Sequence, residues 1–286
     1  MTVAQTPARP KPRLTAQCCP LTREIEVVDA AGERRTIHIP DERPLTLFVD
    51  KRELVTLMTL GQCPELLVLG YLLNQRLVRD AAEVESITVD WSVDAAAVRT
   101  HAGIHDLEAR TARRVVTTGC GQGTVFGDLI AELPSLTLPD ANSARIHQDT
   151  LNTVLESMRQ RPSVHRLAGS VHGTALWRGT EMLYFVEDVG RHNAVDTIAG
   201  WMAMHDIDGS DTLLYTTGRL TSEIVMKAAR IGVPILASRN GITAMGHDLA
   251  QRLGMTLFGR ASRGRFICYT GAQRFDAAAV PQDAEV

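Results

Sequence analysis

The sequence predicts an α/β fold in which a mixed sheet is covered by helices and joined to a smaller β-rich N-terminal region. Three observations predict it. From about residue 171 short apolar strands and amphipathic helices alternate regularly, the pattern of repeated βαβ units. Between residues 24 and 60 strand follows strand with turn residues between them. The chain has 286 residues and is 44% hydrophobic, enough for a substantial core.

Residues 1–20, rich in Pro, Thr, Ala, Arg and Lys, lack hydrophobic periodicity and read as a disordered tail. Residues 21–110 form the β-rich region. TREIEVVD and residues 36–39 give one hairpin, and LTLFVD and LVTLMTL, flanking DKRE at 50–53, give a second. ELLVLGYLLNQRL after Pro64 is a buried helix, and 87–93 is a further strand. Residues 111–145 are the least regular and read as a mobile loop region. The α/β domain spans 146–275, and 276–286 are a C-terminal tail. Its first helix, 148–161, places Leu151, Val154, Leu155 and Met158 on one face. Strands at 171–177, 182–186, 211–215, 233–237, 255–259 and 265–269 then interleave with helices at 191–204, 220–231 and 243–253.

A formal net charge of −3 gives no basic excess for nucleic-acid attachment. No apolar run approaches the length of a membrane span, and the N-terminus carries no apolar signal core, so a cytoplasmic protein without membrane attachment is expected. Cys18, Cys19, Cys63, Cys120 and Cys268 form no CxxC or CxxH pattern. Neither a disulfide framework nor a structural metal is expected. His101 and His105 have helical i, i+4 spacing, but no third ligand is marked.

The densest polar stretch is Glu187 to Asp196, EDVGRHNAVD, at a strand-to-helix junction. Helix N-termini favour anions, so the junction is a candidate binding site; a capped helix with Asp188 and Arg191 paired at the surface is the structural alternative. SVHGTA at 170–175 brings His172 to a strand edge beside it. Arg191 with His192, Arg219 and Arg239 follow three successive strands, and FGRASRGR adds Arg260, Arg263 and Arg265 after a fourth. Parallel strands align such ends along one edge, where ligands dock, and arginines there imply an anionic ligand. Cys120 lies between glycines in GCGQGT, near Arg113 and Arg114. This placement suits a presented nucleophilic thiol, a tight turn or a Gly-rich loop; the lysine of a phosphate-binding P-loop is missing.

EDVGRHNAVD, TGRLTSEIVMKAARIGVPILASRNGIT, SVHGTA, FGRASRGRFICYTG and the cysteine in a glycine-rich loop together resemble the FdhD family of formate dehydrogenase accessory sulfurtransferases. The resemblance runs from about residue 24 to 275. It implies a cytidine-deaminase-like larger domain and a homodimer. It implies that Cys120 takes sulfur from a cysteine desulfurase as a persulfide. The sulfur then passes to the molybdenum bis(molybdopterin guanine dinucleotide) cofactor before insertion into formate dehydrogenase. Residues Phe258, Gly259, Arg260, Ala261, Ser262 and Arg263 fall on the family's cofactor-binding segment. The anionic cofactor would also account for Arg191, His192, Arg219 and Arg239 as contacts.

One position departs from the family. The loop reads CGQGT where CGxCG is usual, so Gly123 stands in place of a second cysteine. A lone thiol cannot expel sulfur by closing a disulfide, so release would need an external thiol or direct attack at the metal. A non-catalytic escort of the cofactor stays open as the alternative. Zinc deamination is not expected, because His172 is followed by Gly173 and Thr174 rather than x-Glu, and no CxxC exists.

Overall fold

The computed structural model describes residues 10–104, 133–142 and 144–277. Cys120 and its loop, and the C-terminal tail from residue 278, lie outside the described residues.

The N-terminal unit is built on a five-stranded sheet. It comprises β1 (Arg13–Leu14), β4 (Arg43–Val49), β5 (Arg52–Thr59), β6 (Val84–Asp90) and β7 (Ala95–Thr100), in the order β1-β6-β7-β4-β5. A separate antiparallel hairpin pairs β2 (Thr22–Val28) with β3 (Arg34–Pro40). In β4 residues alternate, with Leu45, Leu47 and Val49 wholly buried, as the two-residue repeat of a half-buried strand requires. They pack with Leu67, Leu69 and Leu72 of α1 (Pro64–Asn74), whose apolar surface runs nearly all round because it is covered on several sides.

The chain settles earlier than its composition suggests. The tail expected to reach residue 20 is already paired at Arg13–Leu14, which align parallel to Ser86–Ile87. Glu65, buried on α1, accepts hydrogen bonds from the Thr15 hydroxyl and the Gln17 N–H, at 2.6 and 2.7 Å. A polar segment without apolar periodicity is thus held by a buried carboxylate.

The larger unit carries a six-stranded mixed sheet. Its strands are β9 (His172–Arg178), β10 (Glu181–Asp188), β11 (Thr212–Thr216), β12 (Ile235–Ser238), β13 (Thr256–Ser262) and β14 (Arg265–Thr270), in the order β10-β9-β11-β12-β13-β14. β11, β12 and β13 run parallel, and β9 is antiparallel to both β10 and β11. One face is buried by α4 (Arg191–His205), α5 (Ser222–Arg230) and α6 (Ala244–Leu253), through Val195, Ile198, Ile224, Val225 and Leu249. The other is covered by α2 (Gln148–Gln160) through Leu151, Val154 and Leu155. A one-turn α3 (Val164–Ala168) follows it, and β8 (Ile146–His147) pairs with β15 (Phe275–Asp276). The units are joined where α1 crosses α4, at Gly70 and Gly200.

Candidate functional site

The topology sets one edge of the six-stranded sheet. Because β10, β11, β12 and β13 share a direction, their C-terminal ends lie together with the N-terminal end of β9. A cleft of about 220 Å³ opens there, lined among others by Gly173, Phe185, Glu187, Tyr215, Thr217 and Arg239. Ala261, Ser262 and Arg263 from the end of β13 complete one wall, so four of the residues expected from sequence meet in it.

The opposite wall comes from residues the sequence reading missed. Arg159, Arg161, His165 and Arg166, at the end of α2 and in α3, all line the cleft. The signal was present as the basic run around Pro162, where proline ends the helix that carries Arg159 and is capped by Arg161. The Arg161 guanidinium lies 4.5 Å from the Phe185 ring centroid, a cation–π contact. Glu187 holds this wall in place: its carboxylate accepts the N–H groups of Val164 and His165 at 2.6 and 3.0 Å. Arg166 reaches back to the Gln160 carbonyl at 3.0 Å.

Among the described residues, Arg161, Arg239 and Arg263 have no carboxylate partner. Arg260, at the irregularity within β13, and Arg263, in the β13–β14 turn, adopt positive φ of 51° and 52°, a left-handed conformation uncommon outside glycine and concentrated at functional segments. Next along the edge, the half-buried Arg191 lies flat on Gly218, where a Cβ would come within 2.9 Å of Arg191 Cβ and 3.1 Å of its Cδ. Arg219 is exposed beside it. Burial lowers the His172 pKa, and the charges of Arg191, His165 and Arg219 lower it further, so His172 is a neutral group among cations.

Two expected contacts are corrected. Phe258 is fully buried and packs edge-on against Phe266 and Phe275, with centroids 5.4 and 5.3 Å away. Its side chain is core, because β13 turns that face toward α2. His192, in the first turn of α4, is 1% exposed, with Nε2 3.1 Å from Glu223 Oε2. The approach lacks hydrogen-bond alignment. Burial, then Lys227 and Arg191, push its pKa down to about 2 despite Glu223. Gly259 is needed for packing, since a Cβ there would sit 2.7 Å from the Tyr269 ring.

The polar junction at 187–196 is mainly a joint between the units. Asp188 does not pair with Arg191 at the surface; it is buried and accepts from Leu60 N, Gly190 N and Asn193 Nδ2 at 3.1, 2.8 and 2.9 Å, and from the Thr59 hydroxyl. Asn193 also donates to the Met58 carbonyl at 2.8 Å. Asp196, fully buried, binds Lys227 Nζ at 2.7 Å and Asn74 Nδ2 at 2.7 Å. Of this stretch, Glu187 lines the edge cleft and Arg191 packs beside it on Gly218. Cys120, the expected thiol, lies outside the described residues, and so does His105. Among the described residues, no helix is long and apolar enough to cross a membrane.

Comparison with known proteins agrees with the geometry. The FdhD/NarQ family profile matches residues 40–276. A sulfur carrier protein FdhD from Bacillus pumilus is 32% identical over 244 residues, covering 84% of this chain and 91% of its own. Its counterpart from Bacillus subtilis is 30% identical over 234 residues, covering 82% and 88%. The crystal structure of "a putative formate dehydrogenase accessory protein" from Desulfotalea psychrophila superposes with a TM-score of 0.73 at 26% identity, covering 90% of this chain and all of that one. Sequence motifs, edge architecture and these likenesses converge, and the chain belongs to the FdhD/NarQ family.

Proposed function

We propose that this protein is a sulfur carrier that serves formate dehydrogenase, with Cys120 as the sulfur-bearing residue and the arginine-lined edge as the seat of the cofactor. Membership of the family and the name shared by its relatives support the carrier role. The observation that carries the binding role is the cleft, where Arg161, Arg239 and Arg263 converge at the C-terminal ends of the co-directional strands of the mixed sheet. Unpaired guanidiniums at such an edge suit phosphate groups, and the molybdenum bis(molybdopterin guanine dinucleotide) cofactor, as cargo, carries several.

In the sulfur step, the Cys120 thiolate attacks the outer sulfur of a desulfurase persulfide. A new S–S bond forms, the old one breaks, and the desulfurase cysteine leaves as its thiolate. With Gly123 in place of a second cysteine, onward release is assigned to an external thiol or to direct reaction at the metal. A homodimer in the cytoplasm, partnered by a cysteine desulfurase and formate dehydrogenase, belongs to this reading. So does a cytidine-deaminase-like description of the larger unit, whose opening antiparallel pair and three following parallel strands support it.

Gly123 also favours a second reading, in which the protein escorts the cofactor without carrying sulfur. Activation of formate dehydrogenase by Cys120→Ala separates the two. The carrier reading expects activation to be abolished while cofactor binding persists; full activation by the variant overturns it.

A further inference from the structure

Three cysteines that the site does not use gather in one place. Cys18, Cys19 and Cys63 line a pocket of about 440 Å³ with Leu14, Leu21 and Leu66, between the N-terminal segment and the start of α1. The three thiols are not equivalent. Cys19 is packed, with its thiol directed at the Gly61 carbonyl, 3.6 Å away, and burial raises its pKa. Cys18 is exposed. Cys63 alone has its sulfur as a hydrogen-bond acceptor: the Tyr184 hydroxyl donates to Sγ at 3.1 Å.

That donor is fixed in two ways. The Tyr184 ring stacks on Trp201 with centroids 4.9 Å apart and planes 7° from parallel. Burial and the Cys63 contact raise its pKa, so the phenol keeps its proton. Cys63 is also the N-cap of α1, with φ 52°. A non-glycine residue in that conformation is strained, and a helix N-terminus favours negative charge beside it. A phenol donor and a helix N-terminus therefore act on one half-exposed sulfur in the wall of an apolar pocket.

We propose that Cys63 is a second sulfur-accepting thiol, taking sulfane sulfur from small polysulfide donors into the pocket it shares with Cys18 and Cys19. The Cys63 thiolate attacks the terminal sulfur of the donor chain; one S–S bond forms, one breaks, and the shortened polysulfide leaves with the electron pair. The resulting persulfide anion keeps the Tyr184 hydrogen bond and is shielded by Leu14, Leu21 and Leu66. The apolar pocket admits a small donor, so this acceptor is separate from any that meets a partner protein. The proposal deepens the sulfur-carrier reading, but rests on different residues.

The test is exposure of the full chain to inorganic polysulfide, followed by alkylation and peptide mapping, in the wild type, Cys120→Ala, Cys63→Ser and Tyr184→Phe. One added sulfur on the Cys63 peptide is expected in wild type and Cys120→Ala, with none at that position in Cys63→Ser. Tyr184→Phe, which keeps the stacked ring and removes only the donor, is expected to lower Cys63 occupancy by about tenfold while Cys18 is unchanged. Sulfur on Cys18 or Cys19 with none on Cys63, or equal Cys63 occupancy in Tyr184→Phe, overturns the proposal. The Cys120 peptide is read separately, so failure of the carrier reading and failure of this one give different maps.

Discussion

Gly70 on α1 and Gly200 on α4 meet backbone to backbone. A Cβ on Gly70 would lie 1.7 Å from the Asp196 carbonyl oxygen and 2.8 Å from Gly200 N, and one on Gly200 would lie 2.0 Å from the Leu66 carbonyl oxygen. No side-chain rotation relieves such an overlap, so the helices would have to separate. Gly70→Ala and Gly200→Ala are each expected to cost at least about 3 kcal/mol, at the upper end for overpacking, by urea denaturation. Neither residue touches the edge cleft, so loss of function in these variants should track loss of fold.

Asp196 and Lys227 form a buried ion pair at 2.7 Å. Burial pushes the Asp196 carboxyl up against the pull of Lys227 and Asn74. The pair is therefore costly to bury and more costly to break. Asp196→Asn alone is expected to lose about 3–5 kcal/mol, because it strands the ammonium, and Asp196→Leu with Lys227→Met to recover most of that. Equal instability of the single and double variants by denaturation would contradict this.

His192 should make the fold sensitive to acid. Its folded pKa is about 2 against an ordinary value of 6.5. A group depressed by folding contributes stability above its unfolded pKa and loses it as pH falls, here from about 6.5 toward 2. Over that window unfolding takes up as much as one extra proton, about 1.4 kcal/mol per pH unit. Stability measured at pH 7 and pH 5 should differ by less in His192→Gln than in the wild type.

The edge cleft should bind polyphosphate ligands through its unpaired arginines. Arg239→Ala and Arg263→Ala are each expected to weaken binding of guanosine diphosphate, used as a probe for half of the cofactor, by about tenfold. Binding should also fall with rising salt. Phe258→Ala should act differently, losing about 3–5 kcal/mol of stability as a core truncation. Calorimetry of the probe, with denaturation of the same proteins, separates the two behaviours.

The alternation from His172 to Thr270 was legible because each strand is a short apolar run and each helix has one apolar face. β7 was not, since AAAVRT is alanine-rich and alanine carries little strand preference. The arginine edge was legible because strand order in parallel units places successive C-termini together. The role of EDVGRHNAVD was only half legible: composition marks a polar junction, but whether Asp188, Asn193 and Asp196 face a ligand or another part of the same chain depends on α1 and β5, more than a hundred residues earlier. Phe258 illustrates the same limit, because the family segment fixes its position and only packing decides which way its ring turns.

The central claim is that Cys120 carries sulfur. The most direct measurement is peptide mapping of the full chain after incubation with a cysteine desulfurase and cysteine, compared with Cys120→Ala. One added sulfur on the Cys120 peptide of the wild type, with formate dehydrogenase activation lost in the variant, is the expected result. A Cys120 peptide that gains no sulfur while the protein still activates formate dehydrogenase would contradict the account.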